Sequence, residues 1–201
     1  MKILVVGSSG TIGSAVVTAL SSKHEVIGVH RKSTPSVDIQ DPKSITALFE
    51  RVNGLDHVVS CAGGGAWKPL AQLTDEDFAN SLGYKLMGQV NVIRQALKHV
   101  RDGGSVTVTS GVLAQNPMPS SAAVSMINSG LEGFVRAAAL EAERGIRVNV
   151  VSPPWINETL VAWKMTEMGI KGIDAAVCAK AYAASIEGTQ TGATIDARSF
   201  A

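Results

Sequence analysis

Three glycines spaced three residues apart, Gly7, Gly10 and Gly13, follow an apolar run at residues 2–6 and open a helical pattern. Glycine allows a tight turn at such a position and lets a pyrophosphate approach the backbone amides at the start of a helix. The strand–turn–helix context is the one that a dinucleotide-binding turn requires. We therefore predict that a dinucleotide binds to Gly7, Ser9, Gly10, Thr11, Ile12 and Gly13. The alternative is a tight turn that binds no ligand.

Two cations stand at the end of the second predicted strand, in the segment His30-Arg31-Lys32-Ser33. A protein specific for NAD usually has an acidic residue there, which binds the ribose 2′-hydroxyl. Arginine can instead pair with a 2′-phosphate and stack on adenine. The segment therefore favours NADP(H) over NAD(H), with Arg31, Lys32 and Ser33 as predicted contacts. A solvated surface turn is the alternative.

The strands and helices that must position these residues can be predicted from the sequence. Short apolar runs alternate with helical patterns along the chain. The predicted strands are 2–6, 25–30, 55–60, 105–109, 146–151 and 193–195. The predicted helices are 11–22, 42–52, 74–100, 121–144, 157–168 and 173–187. This alternation predicts an α/β fold of the Rossmann type, with a doubly wound parallel sheet in three layers, α/β/α, forming a single domain over residues 1–201. Ligands bind such sheets at the carboxyl ends of the strands.

The composition narrows the class of partner. Of 201 residues, 45% are hydrophobic and 17% are charged, and the net charge is +1, which gives no electrostatic signal for nucleic acid or an anionic membrane. The two cysteines lie far apart and match neither a disulfide framework nor a metal site. The first apolar run is too short for a signal peptide, so we expect a cytoplasmic protein that acts on a small molecule.

Further segments, in matching order, resemble the short-chain dehydrogenase/reductase family over nearly the whole chain. They are Val37-Asp38-Ile39, Ser60-Cys61-Ala62-Gly63, Leu131-Glu132-Gly133-Phe134, Arg147-Val148-Asn149-Val150-Val151-Ser152-Pro153 and Gly188-Thr189-Gln190-Thr191-Gly192. The resemblance implies additional cofactor contacts at Asp38, Ile39, Ala62, Gly63, Asn128 and Pro153. It also implies a homodimer formed through the helices at 86–100 and 122–142.

The proton-transfer residues of that family have no counterpart in this sequence. The family uses a serine, a tyrosine and a lysine, assisted by an asparagine. By resemblance the tyrosine position is Val124 and the lysine position is Asn128. An asparagine can form a hydrogen bond with a ribose but supplies no cation. The serine position falls on Gly111, directly after Ser110, and the asparagine position falls on Lys85.

A substitute acid is therefore needed for a family-like reaction. We predict Lys85 as proton donor, because a lysine in a partly apolar cleft has a lowered pKa, and Ser110 as hydrogen-bond donor to the carbonyl oxygen. Alternatively, Lys85 reaches solvent or pairs with a carboxylate, and Ser110 caps a loop. Trp67 and Trp155 follow predicted strands and are expected to flank the nicotinamide end, although plain packing explains them equally well.

Three functions stay open at this point. The first is an NADP(H)-dependent oxidoreductase that transfers hydride to or from an unknown carbonyl or alcohol, using a non-standard proton donor. The second is a catalytically degenerate dinucleotide-binding protein, such as a redox sensor or regulatory subunit. The third is a structural subunit that pairs with an active homologue, which the glycine turn and the basic pair disfavour.

Overall fold

The computed structural model of the chain describes residues 1–201, except for the side chain of Met168, and contains one parallel six-stranded sheet with helices on both faces. Its strands are β1 (Lys2–Val6), β2 (Glu25–Val29), β3 (His57–Ser60), β4 (Ser105–Thr109), β5 (Arg147–Ser152) and β6 (Thr194–Asp196). Its α-helices are α1 (Thr11–Ser21), α2 (Pro42–Arg51), α3 (Asp75–Ser81), α4 (Gly88–His99), α5 (Ala122–Glu141), α6 (Asn157–Ala162) and α7 (Ala175–Glu187). The predicted three-layered, doubly wound α/β fold is confirmed.

The strand order, β2-β1-β3-β4-β5-β6, places the point where the chain reverses direction across the sheet between β1 and β3. Val6 and Ser60, the last residues of these two strands, are register partners. The glycine turn and the loop after β3 therefore leave the sheet side by side. In open α/β sheets, ligands bind in the crevice at such a reversal.

The sheet separates two hydrophobic cores, and β1 contributes to both because successive side chains of a strand point to opposite faces. Leu4 and Val6 pack in the core beneath α2, α4 and α5, whereas Ile3 and Val5 pack in the core beneath α1 and α7. All four side chains are fully buried. This explains why the sequence of β1 is apolar throughout, and it fixes the position of the strand end that leads into the glycine turn.

Two predicted helices differ from the observed ones. The helix predicted at 74–100 begins with the expected capping box of Thr74 and Asp77, but it is π-helical at Leu82–Met87, between α3 and α4. The helix predicted at 157–168 ends at Ala162. Two residues later, Lys164 takes a left-handed conformation with φ of 55°, and a 3₁₀ turn follows at Thr166–Met168. Side-chain periodicity reports neither event, because both are backbone irregularities inside an otherwise helical pattern. The other helices and strands begin and end within a few residues of their predicted bounds.

The close packing of α1 on the glycine turn gives the first prediction. A Cβ atom at Gly13 would lie 2.0 Å from the Gly7 carbonyl oxygen, which no real contact allows. We expect Gly13→Ala to lower the free energy of unfolding by about 1–3 kcal/mol or more, since the turn must shift. Denaturant unfolding measures this. The control is Gly64→Ala, where a Cβ meets no atom within 4 Å and the change should stay within about 0.5 kcal/mol. Equal losses in the two variants would contradict the packing argument.

Candidate functional site

Two adjoining clefts open at the carboxyl edge of the sheet. The first, the glycine-turn groove, has a volume of about 540 Å³ and runs from the turn after β1 past the end of β2. The second, the tryptophan cleft, has a volume of about 230 Å³ and is lined by residues that follow β3, β4 and β5. Cys61 and Gly63 line both clefts, so the two are continuous at the loop after β3.

The structure brings most of the predicted cofactor residues to these clefts. The glycine-turn groove is lined by Gly7, Ser9, Gly10, Arg31, Lys32, Asp38, Ile39, Ala62 and Gly63. The tryptophan cleft is lined by Ile12, Asn128 and Pro153, together with Lys85 and Ser110. The predicted dinucleotide contacts therefore form one continuous surface.

Three predicted contacts are not among the residues that line the two clefts. Gly13 packs against the backbone of Gly7, and Thr11 is the exposed first residue of α1. Ser33 closes its own loop, since its hydroxyl accepts from the His30 amide at 2.8 Å and lies 2.6 Å from the Pro35 carbonyl oxygen. The prediction that Ser33 binds a phosphate therefore needs correction: its hydroxyl is used within the turn that presents Arg31 and Lys32.

The start of α1 is left open towards an anion. Its N-cap is Gly10, which makes no side-chain capping bond, and the first turn contains no acidic residue. The first amides of a helix need an acceptor, and the helix dipole favours a negative one. Beside this end of α1, Arg31 and Lys32 line the same groove. The groove can thus hold negative charge at two places.

Lys85 lies in the π-helical segment, at the junction of the two clefts. Its Nζ donates a hydrogen bond to the carbonyl oxygen of Ser110 at 2.8 Å. Burial lowers the pKa of Lys85 from 10.5 to about 8, and the negative charge of Glu132 partly opposes this shift. Gly63, with φ of +127°, lies against Lys85, because a Cβ there would be 2.9 Å from Lys85 Cγ. An ammonium group has three donors, so two remain available to a ligand in the cleft.

The adjacent residue, Tyr84, lines the groove and not the cleft. Successive residues of a helical segment point in different directions, so the two adjacent side chains face different clefts. The other tyrosine, Tyr182, is fully buried between the sheet and α1, and its hydroxyl lies 2.7 Å from Thr109 Oγ1. Among the described residues that line the tryptophan cleft, Lys85 is thus the side chain best suited to donate a proton.

The hydroxyl of Ser110 is used differently from our prediction. It donates to Glu132 Oε1 at 2.8 Å, and the Gln115 side-chain amide donates to the other oxygen of the same carboxylate. Ser110 and Glu132 are both buried, with 2% and 4% exposure. A hydroxyl has one proton, and here Glu132 accepts it. The role of Ser110 as donor to a substrate therefore needs correction: its carbonyl positions Lys85, and its hydroxyl connects that unit to Glu132.

Sequence reasoning missed Glu132 and Gln115. The available signal was the spacing of Glu132, which is four residues after Asn128 and next to Leu131 on the buried face of α5. A carboxylate on a buried helical face requires hydrogen-bonded partners. Its partner Gln115 follows a 3₁₀ turn in a loop, so no periodicity connects the two residues.

Val124 and Asn128 also line the cleft, one helical turn apart on α5. Asn128 is 1% exposed, and its Nδ2 donates to the Gly111 carbonyl oxygen at 3.4 Å. Its Oδ1 is buried and accepts no hydrogen bond from the described residues. An unsatisfied buried acceptor costs about 1–3 kcal/mol. The position of this oxygen suits a hydroxyl donor from a bound ligand.

Comparison with known proteins now identifies the family. The family model described as Enoyl-(Acyl carrier protein) reductase matches residues 12–191. The chain belongs to the short-chain dehydrogenase/reductase family. Among solved structures, the protein lin1944 from Listeria innocua is 38% identical, with a TM-score of 0.93 and 98% of each chain covered. A small-chain dehydrogenase is 26% identical, with a TM-score of 0.85 over 98% of this chain and 95% of that one.

Curated relatives of this short-chain dehydrogenase/reductase include reductases of ring compounds. Tetrahydroxynaphthalene reductase PfmaG of Pestalotiopsis fici is 29% identical over 146 residues, which are 68% of this chain and 53% of that protein. A Mycobacterium tuberculosis protein named (5R,7aS)-5-hydroxy-7a-methyl-1-oxo-2,3,5,6,7,7a-hexahydro-1H-indene-carboxyl-CoA reductase is 30% identical over 135 residues, or 63% and 52%. The chain spans about half the length of the curated relatives it matches. Both relatives carry the name of a reductase.

No group of three or more His, Cys, Asp or Glu side chains within the described part of this short-chain dehydrogenase/reductase is placed to hold a metal ion. Of the helices that the structure describes, none combines the length and apolarity needed to cross a bilayer.

The buried ammonium of Lys85 gives a prediction on stability. Its pKa is about 8 in the folded chain and about 10.5 when unfolded, so between these values the unfolded chain binds more protons and stability rises with pH. A Lys85→Met variant lacks this contribution. We therefore expect its stability relative to the unchanged protein to be greatest near pH 7 and to decline as the pH rises from 8 to 10.5. Denaturant unfolding at several pH values tests this, with Lys43→Met at an exposed site as control. A constant difference would contradict the burial of this charge.

Proposed function

We propose that this chain is an NADP(H)-dependent oxidoreductase that interconverts a small-molecule carbonyl and its alcohol, with Lys85 as the proton donor. The observation that carries the proposal is the Lys85 ammonium, held by Ser110 at the point where the glycine-turn groove joins the tryptophan cleft. The cofactor, when bound, supplies or accepts the hydride. The protein must orient the reactants and hold the proton.

The groove fits an NADP-type dinucleotide. Arg31 and Lys32 are exposed and line it, and neither takes part in a salt bridge within the described residues. Two unpaired cations suit a 2′-phosphate, while the uncapped start of α1 suits a pyrophosphate. The open Oδ1 of Asn128 suits a ribose hydroxyl at the far end. Three separate features thus match three parts of one ligand.

Lys85 meets the requirements of a general acid. With a pKa of about 8, it is mostly protonated at neutral pH yet close enough to that pH to release its proton. One of its N–H bonds points to the Ser110 carbonyl, and the others are available to a substrate oxygen. Glu132 stabilises the charged form from behind Ser110 and faces away from the substrate. Ser110 and Glu132 therefore act as positioning residues.

This assignment moves the proton donor to a different element from that of the family pattern. The family donor position on α5 is taken by Val124, an apolar residue of the cleft. The π-helical segment supplies Lys85 in its place. Local π-helical turns are often found at functional sites, because they re-aim side chains within a helix. The exposed apolar side chains of Met126 and Leu140 on α5 support the predicted homodimer as a further part of the proposal.

A second candidate function rests on the same substitutions. Val124 cannot transfer a proton, and Asn128 cannot supply a cation, so the chain would bind the dinucleotide without turnover and report its redox state. In that case Lys85 serves only to hold Ser110. Reduction of a carbonyl by the purified protein decides between the two candidates.

Cofactor choice is tested at Arg31. We expect Arg31→Ala to weaken NADPH binding by about 10-fold to 100-fold and NADH binding much less, because a charge-assisted bond to the 2′-phosphate is lost. Titration calorimetry with both dinucleotides measures this. Lys43→Ala, at an exposed cation of α2 outside the groove, should leave both affinities unchanged. Equal weakening of both dinucleotides by Arg31→Ala would remove the phosphate assignment.

The acid role is tested at Lys85. We expect Lys85→Met to lower kcat/KM for carbonyl reduction by about 10²-fold to 10⁴-fold while NADPH affinity stays nearly constant. In the unchanged protein, kcat/KM for reduction should fall as the pH rises through about 8, since the donor loses its proton there. The Lys85→Met variant should lack this step. An unchanged rate, or a profile that keeps the step, would exclude Lys85 as the donor.

A further inference from the structure

The tryptophan cleft carries all three tryptophans of the chain, Trp67 from the loop after β3 and the other two from residues 155–163. The ring centroids of Trp67 and Trp155 lie 5.2 Å apart, and those of Trp155 and Trp163 lie 6.4 Å apart, each pair at an interplanar angle of 79°. None of the three rings belongs to either hydrophobic core of the described residues. Trp163 is 62% exposed. Since core packing does not use these rings, they offer aromatic surface to a ligand.

The remainder of the wall is also apolar. Val112, Leu113 and Val124 line the cleft beside the indoles. Burial raises the pKa of the Cys61 thiol to about 12, so this side chain is neutral at physiological pH. None of these side chains carries a charge that could pair with a charged group on a ligand.

The cleft has a single charged side chain in its lining. Lys85 is the one lysine, arginine, aspartate, glutamate or histidine among the described lining residues, and its ammonium interacts with the buried carboxylate of Glu132 behind Ser110. An anionic ligand would lose its hydration and meet a cation whose charge is partly neutralised. An uncharged ligand with a single polar acceptor avoids this cost.

The size of the cleft limits the ligand further. Pockets for drug-sized ligands are about 300–1,000 Å³, and this cleft has about 230 Å³. Under the proposed function it must also admit the reacting end of the cofactor. The space that remains suits one ring or two fused rings.

We propose that the substrate of this site is a small, planar, uncharged aryl ketone, whose ring packs against Trp155 and its neighbours while its carbonyl oxygen faces Lys85. The inference rests on the proposed reductase function and specifies its substrate class. In the reduction, the carbonyl carbon gains a hydride from NADPH and the oxygen gains a proton from Lys85. The products are a secondary alcohol and NADP⁺, and Lys85 regains its proton from solvent.

Binding without turnover tests the substrate class. Calorimetry with the NADP⁺-loaded protein, which cannot reduce a ketone, gives the Kd of three probes. These are 4-methylacetophenone, the flexible ketone 2-nonanone with the same number of carbon atoms, and the anionic 4-acetylbenzoate. We expect 4-methylacetophenone to bind about 2-fold to 10-fold more tightly than either of the others, which is the range that one aromatic contact supplies. Equal affinities for the two uncharged ketones would overturn the inference, and so would tighter binding of 4-acetylbenzoate.

Two substitutions test whether the preference for 4-methylacetophenone depends on the tryptophans. Trp155→Leu and Trp163→Leu should abolish the advantage of 4-methylacetophenone over 2-nonanone, and the exposure of Trp163 means that its replacement does not threaten folding. Leu70→Ala, at a 69% exposed residue of the 3₁₀ turn Leu70–Gln72 that does not line the cleft, is the matched control and should keep the preference. A preference that survives both tryptophan variants would overturn the inference.

Turnover then separates the two proposals. An intact preference without reduction of any carbonyl contradicts the proposed oxidoreductase alone. Reduction of several carbonyls without preference for the planar ketone contradicts the substrate class alone.

Discussion

The parallel pairing of β1 with β3 is the constraint on which both clefts depend. Val6 and Ser60 are register partners, so the two following loops must leave the sheet at one edge and in the same direction. Both strands are buried on both faces, which prevents either from sliding without exposing apolar side chains. The Cys61 amide donates to the Val6 carbonyl oxygen at 2.8 Å and extends the pairing beyond the strands. Gly7 and Ala62 are thereby fixed as neighbours before any ligand binds.

At that edge of the sheet, a chain of hydrogen bonds positions Lys85. Lys85 is held by the Ser110 carbonyl, the Ser110 hydroxyl is held by Glu132, and Glu132 is held by Gln115. A buried charge is costly unless hydrogen bonds and an opposite charge compensate for it. The Glu132 carboxylate accepts hydrogen bonds from Ser110 and Gln115 directly. The Lys85 ammonium donates to a neutral carbonyl and feels the charge of Glu132 only at a distance. This imbalance explains why the pKa of Lys85 falls towards neutrality while the group remains charged enough to donate.

The sequence predicted the parts of the molecule that depend on periodicity and on glycine. The strands were predictable because β1, β3 and β4 are continuous apolar or β-branched runs, and the glycine turn was predictable because close packing of α1 tolerates no Cβ at Gly13. The π-helical segment was not, since it changes the backbone hydrogen bonds and keeps the side-chain pattern of a helix. The partnership of Ser110 with Glu132 was also missed, because it joins two segments whose contact exists only after β4 and α5 have packed.

The two walls of the cleft together impose an orientation that neither would impose alone. A valine on α5 in the place of a polar donor removes one hydrogen-bonding partner and adds apolar surface continuous with the indoles. Under the proposed function, the Lys85 ammonium, which lines the same cleft, then becomes the preferred partner for a carbonyl oxygen. A ligand with one polar and one aromatic end can satisfy both walls in one direction only. Its carbonyl carbon is thereby brought to the junction with the glycine-turn groove, where Cys61 and Gly63 line both clefts. Under the proposed function, the loss of an acid at Val124 and its gain at Lys85 are therefore one change in the polarity of the cleft.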